Sequence, residues 1–357
     1  MKQLRFSTPT ITLERKDYAD IRRVIDSGWV CIGKHVDRLE SSFRQRFGVK
    51  YAIACSNCTQ GLIIALKSAG WRNKRIAVPA FTWPSTIFAI ESNIGNTPIF
   101  CDIDPETWLI DLGSISPDSY DAVIAVDTFG NEARLKTRKP VIYDAAHGFD
   151  LKNLGHRGLA EVISFSFTKV VSASEGGMIL TNSAAIAATA YELRRLASRM
   201  EEINAIIALR SLRNYEKNQK VKVDTIDYYV EHLKFAYKRQ RIPRCTNHSV
   251  FAILLNTPQE RDAIADVLKR SQVEFKIYYD PLVSGLPNID DVFSRIIALP
   301  THPGVRPFLG KICQLINDRM KNFPHGPACG RHEAAPTPGK RYLKESGYLN
   351  SYLRRER

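Results

Sequence analysis

"KYAIACSNCTQGLIIALKSAGWRNKRIAVPA" (residues 50–80) decides the fold. Its opening "KYAIACS" is short and apolar, which predicts a buried strand. "NCTQGLIIALKSAG" then places Leu62, Ala65, Leu66 and Ala69 on one helical face, with Gly70 as the stop. "RIAVPA" reads as strand again. The alternation continues outward. "STIFAIESNIG" (85–95) predicts a short helix closed by glycine, and "TPIFCDID" (97–104) a strand. "YDAVIAVDTFG" (120–130) and "KPVIYDAAHG" (139–148) predict two more buried strands. "VISFSF" (162–167) and "GGMILTN" (176–182) complete the series. Upstream, residues 17–48 predict helix interrupted near "SGW", with Leu39, Phe43 and Phe47 at helical spacing before Gly48. The fold class is α/β: a central, mostly parallel sheet flanked by helices.

From about residue 186 the pattern turns helical, through "AIAATAYELRRLASRMEEINAIIALRSLRNYEKN". A smaller α+β domain follows. "HSVFAILLN" and "EFKIYY" are its predicted strands; "PQERDAIADVLKRSQ" and "RPFLGKICQLINDRM" are its predicted helices. The expected division is residues 1–200 as the large domain, 201–321 as helical bridge and small domain, and 322–357 as a basic, disordered tail rich in Pro, Gly and Ala.

The 357 residues carry 44% hydrophobic and 25% charged side chains, the balance of a soluble globular protein. No apolar run is long enough to span a bilayer, and the N-terminus lacks a signal-peptide core. A cytoplasmic location is expected, with no membrane partner. Seven scattered cysteines, an odd number, argue for reduced thiols. Cys55 and Cys58 form a C-x-x-C. We read them as small buried residues at a strand end, with zinc and redox readings as alternatives. The formal charge of +14 suits an enzyme for anionic substrates or a nucleic-acid binder. No nucleic-acid-binding signature accompanies it, so a solvated basic surface is the reading adopted.

In parallel sheets ligands bind beyond the carboxyl ends of the strands. The polar residues of this sequence cluster at those ends. A helix N-terminus after "CSNCT" offers free N–H groups and a hydroxyl for a phosphate. Trp83 offers a flat face. Asp144, ending a buried strand, can hold a cation. Lys169, in "ISFSFTKVVSASEGG" (163–177), either points to solvent or does chemistry, because a buried ammonium is costly otherwise. Its amine can condense with an aldehyde, and Ser164 supplies another hydroxyl. Phosphate, planar ring, protonated ring nitrogen and aldehyde together describe pyridoxal 5′-phosphate (PLP). Asp102 and Asp104 are read as a turn before "PETW" and given no role. Singly, each residue has a plainer reading: Trp83 as core, His147 as a satisfied core histidine, Thr59 and Ser164 as capping hydroxyls, Lys169 as solvated.

The ordered motifs resemble the PLP-dependent sugar aminotransferases of the DegT/DnrJ/StrS family, of fold type I. The resemblance runs over roughly residues 7 to 320. It rests on "SGWVCIGKHVDRLESSFRQRFGVKYAIACSNCTQGLIIAL", "PAFTWPSTIFAIESNIGNTPIFCDID", "YDAVIAVDTFGN", "VIYDAAHGFD", "SFSFTKVVSASEGGMILTN", "RMEEINAIIALRSL" and "KIYYDPL…IIALPTHPGV". It implies that Lys169 carries the cofactor and moves the proton, and that Asp144 pairs with the ring nitrogen. His147 would lie near the 3-hydroxyl, Trp83 would stack on the ring, and Cys58, Thr59 and Ser164 would hold the phosphate. Trp29 and Gly33 would shape the sugar pocket. It further implies a nucleotide-linked keto-sugar as acceptor, glutamate as amino donor, and a homodimer. The product would feed polysaccharide or antibiotic sugar biosynthesis.

Three departures from the family stand out. Cys58 occupies a position commonly held by glycine or another small residue. "VDTFGNEARLKTRKPVIYD" (126–144) is short, so one crossover helix is expected to be missing or reduced, exposing a sheet face. The stretch from "EGGMILTN" to "RMEEINA" is also short. It places Ala197 where the family carries an Asn that reaches the neighbouring subunit's cofactor phosphate, so that contact is expected to be lost. These losses keep a non-catalytic homologue with a binding or regulatory role as the alternative. The family's sugar dehydratases carry histidine at the lysine position, which Lys169 excludes.

Overall fold

The computed structural model describes residues 3–7 and 11–323. The expected tail therefore lies outside the described residues, apart from its first two positions. Helix α1 (Arg15–Ser27) starts behind a reciprocal capping box between Glu14 and Asp17. It ends at Gly28, whose φ of 68° is the left-handed turn that a Cβ would penalise. That stop is the interruption expected near "SGW". Helix α2 (Lys34–Phe47) then packs Val36, Leu39 and Phe43 inward.

The alternating stretch folds as expected, into β1 (Tyr51–Cys55), α3 (Cys58–Ser68), β2 (Arg75–Pro79), α4 (Pro84–Glu91) and β3 (Thr97–Cys101). Then come β4 (Ala122–Val126), β5 (Val141–Asp144), β6 (Ala160–Ser164) and β7 (Gly177–Thr181). These seven strands form one sheet in the order β1-β7-β6-β5-β4-β2-β3. Strand β7 runs antiparallel to both neighbours, and the other pairs are parallel. The strands read as continuous apolar runs because both faces are covered. One face packs on α3, α4 and α5 (Ala184–Ala197), around Ile53, Leu66, Ile124 and Val162. The other packs on α2 and α6 (Glu202–Arg213), around Phe43, Ile163, Phe165 and Met178.

Helix α7 (Tyr215–His232) leads to a second sheet of β8 (Lys238–Arg239), β9 (Phe251–Leu254) and β10 (Ile296–Leu299), antiparallel in the order β10-β9-β8. Helix α8 (Pro258–Arg270) and α10 (Leu309–Lys321) share its core with Ile253 and Leu299, and α9 (Pro287–Arg295) precedes β10. The strand expected at "EFKIYY" does not form. Only Lys276 exchanges hydrogen bonds with Ala298, and Tyr278 and Tyr279 turn into an aromatic cluster with Phe129 instead. Asp104 makes the expected turn, accepting from the N–H groups of Glu106 and Thr107. Asp102 does more: its carboxylate accepts from the N–H groups of Asn288 and Ile289, at the start of α9.

The crossover between β4 and β5 contains no α-helix, as expected, only a short 3₁₀ turn at Thr128–Gly130. The expected exposed sheet face is absent. Val123, Ala125 and Tyr143 are buried beneath Leu109, Ile110, Ala133 and Leu135. Beside them lies a buried ionic cluster. The Arg157 guanidinium donates to Asp127 at 2.7 and 2.6 Å and to Glu161 at 2.8 Å, and stands 4.3 Å from the Tyr143 ring centroid.

Candidate active site

The site forms where β1, β5 and β6 end. Asp144 closes β5 and is 5% exposed. Thr86, in the first turn of α4, donates to Oδ2 at 2.7 Å, and the Ala146 N–H donates to Oδ1 at 3.1 Å. Thr82 bonds Thr86 at 3.0 Å, so the carboxylate is held by a short hydroxyl chain. Burial pushes Asp144 above the usual carboxylate range, against the lowering effects of Thr86, Ala146 and Lys169. A cation placed at this carboxylate would relieve that cost.

Lys169 sits in the turn after β6, its N–H bonded to the Ser166 carbonyl at 2.9 Å. The residue is half-buried, in a densely packed surround. Burial lowers its pKa, against the opposing pull of Cys58, Asp144 and Glu175. Lys169 and Asp144 each feel the other's charge, so the two groups expected to work together lie near one another.

Helix α3 begins at Cys58 with Asn57 as its cap, accepting from the Gln60 N–H at 2.8 Å. This leaves the Cys58 and Thr59 N–H groups at the helix start, the arrangement that binds an anion. Gly177 of β7 packs against this turn: a Cβ there would stand 2.8 Å from Asn57 C and 2.9 Å from Cys58 N. Ser164 pairs with Gly177 across the β6–β7 ladder, which places its buried hydroxyl on the strand next to that turn. Cys58 senses Asp144 and Lys169, and its thiol lies 3.8 Å from the Val162 carbonyl, against the core of the sheet. Burial raises both thiols of the C-x-x-C, Cys55 to about 12, which keeps them neutral. That fits small buried residues better than a redox pair.

His147 follows the β5 end. Burial and the charges of Lys169 and Lys222 hold its pKa well below the ordinary value. Its ring lies 6.3 Å from that of Phe129, and Asn247 binds its carbonyl. Trp83 caps α4 and is 47% exposed. Trp29 is 68% exposed, its indole N–H bonded to the Ile32 carbonyl at 3.3 Å. Gly33 starts α2, and its N–H donates to Glu202 Oε1 at 2.9 Å. Glu202 also accepts from His35 and Val36, each at 2.9 Å. Ala197, the last residue of α5, is followed by Ser198, whose hydroxyl binds both the N–H and the hydroxyl of Ser56 at 3.0 and 2.9 Å. The short link thus ties back onto its own subunit's "CSNCT" turn.

Sequence reasoning missed Thr86, Glu202 and Lys222. Thr86 stood in plain view in "TWPST", at the first turn of a predicted helix. Lys222 carried no local signal, because the helix "YEKNQKVKVDTID" is charged throughout.

The sheet order, the strand-end site and the small second sheet are those of fold-type I PLP-dependent aminotransferases. The sequence pattern of the DegT/DnrJ/EryC1/StrS aminotransferase family matches residues 12–307, and the chain belongs to that family. Its members depend on PLP. Among solved structures, DesI in the presence of its TDP-sugar product is 25% identical, with a TM-score of 0.81 over 90% of this chain and 93% of that one. A family aminotransferase from Brucella abortus is 24% identical, with a TM-score of 0.73 over 85% and 95%. NtdA from Bacillus subtilis with bound PMP is 19% identical, with a TM-score of 0.75 over 86% and 83%.

Proposed function

We propose that this aminotransferase moves an amino group from glutamate to the carbonyl of a nucleotide-linked keto-sugar, for polysaccharide or antibiotic sugar biosynthesis. The observation carrying this reading is the buried Asp144, held by Thr86 and Ala146, whose charge reaches a half-buried Lys169 of lowered pKa. PLP fits these residues: a helix start for its phosphate, a desolvated carboxylate for its ring nitrogen, an amine for its aldehyde. When bound, it supplies an electron sink for the carbon that loses its proton.

The chain's own groups do the rest. Asp144 would keep the ring nitrogen protonated, because separating that pair would leave a buried charge alone. Lys169 would take a proton from the donor's α-carbon and deliver it again; a lowered pKa favours the neutral base this requires. Cys58, Thr59 and Ser164 would hold the phosphate. His147, kept neutral, would lie near the 3-hydroxyl, and Trp83 would cover one ring face. Trp29 and Gly33 border the sugar. On this reading residues 1–200 are the cofactor domain and 201–321 the bridge and small domain, working as a cytoplasmic homodimer. The exposed Tyr18 and Phe167 provide apolar surface for a second copy. Among the described residues no helix is long and apolar enough to cross a membrane.

Borohydride reduction of the PLP-loaded protein followed by peptide mapping tests the proposal. Label at Lys169, and visible colour bleached by L-glutamate, are the expected results. Substituting Lys169→Ala should lower transamination by about 10²–10⁴-fold. Label at another lysine, or full activity in Lys169→Ala, would overturn it. A protein that takes up no PLP would point to the binding or regulatory role.

A further inference from the structure

Beside the cofactor groups lies a cleft between the large sheet's loops and the second sheet. Phe6, His147, Lys169, Lys222, Tyr278 and Thr301 are among its walls. Lys222, on α7, is part-buried there. Its Nζ donates to the Ser249 carbonyl at 2.9 Å, and no carboxylate pairs with it among the described residues. A lysine ammonium has three donors, so this one bond leaves capacity unused. Most buried or half-buried cations of this fold are compensated: Arg157, Arg194 and Arg210 each bind an acid. Lys222 instead shares its cleft with a second lysine.

Resting on the transamination reading above, we propose that Lys222 binds the α-carboxylate of the amino donor. A part-buried cation in a cleft, with no acid beside it, is matched by an anion that arrives with the substrate. The α-carboxylate is bonded to the very carbon that carries the donor's amino group. It must therefore lie close to Lys169, which lines the same cleft as His147 and Lys222. The diphosphate of a nucleotide sugar fits less well. Ring bonds and a glycosidic oxygen separate it from the reacting carbon, and its larger charge asks for more than one cation. The neighbouring polar groups Ser7, Gln219 and Thr301 are neutral, which suits a singly charged carboxylate.

Calorimetry on the PLP-loaded protein tests this with glutarate, a donor analogue that cannot transaminate, and with thymidine diphosphate. Lys222→Met should weaken glutarate by roughly 10- to 100-fold, the loss expected for one charged hydrogen bond. Lys222→Arg should keep most of the affinity, and thymidine diphosphate should bind all three proteins alike. The bleaching rate constant with L-glutamate should fall in step, while that with propylamine, which has no carboxylate, should not change. Equal glutarate affinity in wild type and Lys222→Met, no glutarate binding to wild type, or a loss confined to thymidine diphosphate would each overturn the proposal. Lys222-dependent glutarate binding in a protein that L-glutamate never bleaches would instead uphold the carboxylate site and sink the transamination reading.

Discussion

Glu202 joins the chain after the site to the segment expected to shape the sugar pocket, and removing it should be felt in both stability and substrate recognition. Its carboxylate, on a residue 2% exposed, accepts three backbone N–H groups at the start of α2: Gly33 and Val36 at Oε1, His35 at Oε2, all at 2.9 Å. These are helix-start donors with no partner inside the helix, and the helix dipole adds to their pull on an anion. A hydrogen bond to a charged group contributes about 1.5–3 kcal/mol, and an orphaned buried donor costs about 1–3 kcal/mol. Water entering the space left by Glu202→Ala recovers part of that, so about 3–5 kcal/mol is expected rather than the full sum. At about 2–3 °C per kcal/mol for a chain of this size, the melting temperature should fall by roughly 6–15 °C. Glu202→Gln keeps one oxygen, enough for Gly33 and Val36, and leaves His35 facing an amide N–H₂. Its expected cost is about 1–3 kcal/mol.

Thermal unfolding of the three proteins, with limited proteolysis at residues 28–33 as a local probe, checks the ranking. The Val30 carbonyl and Ile32 N–H still bond the backbone of Glu202 and Met200 in either variant, so the loss should be a loosened α2 start rather than a detached segment. The Michaelis constant for the acceptor should rise more than that for the amino donor, since Trp29 and Gly33 belong to the loosened stretch. An alanine variant melting within 2 °C of wild type, or a glutamine variant as damaged as the alanine one, would refute the capping argument.

Arg157→Met removes the cation between Asp127 and Glu161 and should cost about 3–5 kcal/mol by chemical denaturation. Burial already raises Glu161, so the deficit should shrink as pH falls and the carboxyl protonates. Asp144→Asn should raise the melting temperature of the cofactor-free protein. The wild-type carboxyl has a raised pKa when folded, so its penalty grows as pH rises from about 4 and is absent below that; the same variant should lose most of the stabilisation that added PLP gives. Thr86→Val removes the 2.7 Å bond to Asp144 and should weaken PLP by roughly 10- to 100-fold in an absorbance titration. Lys222, whose pKa burial and Lys169 lower to about 8, should bind glutarate fully below that pH and progressively less above it. The profile of Lys222→Arg should stay flat, because a guanidinium keeps its proton.

Apolar runs, glycine stops and helical spacing made the large sheet legible, because both faces of a parallel sheet are buried and the strands must read as apolar throughout. Asp144 and Lys169 were legible because each stands as a charged residue at the end of such a run. "EFKIYY" misled for a physical reason. Its aromatic, β-branched composition fits a strand, yet the same rings are drawn to Phe129 and Phe81, and tertiary packing overrode local propensity. Glu202 and Lys222 were invisible for another: their roles depend on partners far along the chain, and a charged residue on a helix shows nothing locally of what it will meet.

The two shortened segments are compensated by different means, and the difference bears on activity. Loss of the crossover helix removes apolar cover from a sheet face, which loop residues such as Leu135 and the Arg157 cluster replace. That exchange acts on the outer side of β5 and leaves Asp144 held by Thr86 and Ala146. Loss of the longer loop after β7 acts at the site itself. There Ser198 ties to Ser56, Met200 to Ile32 and Glu202 to Val30, so one short link fastens both the turn proposed to hold the phosphate and the Trp29–Gly33 stretch within the same chain. A cradle braced from within needs less from a neighbouring subunit. PLP should therefore stay bound on dilution to concentrations where the proposed homodimer dissociates. Loss of PLP in step with dissociation, read by absorbance and sedimentation on one dilution series, would refute that internal bracing.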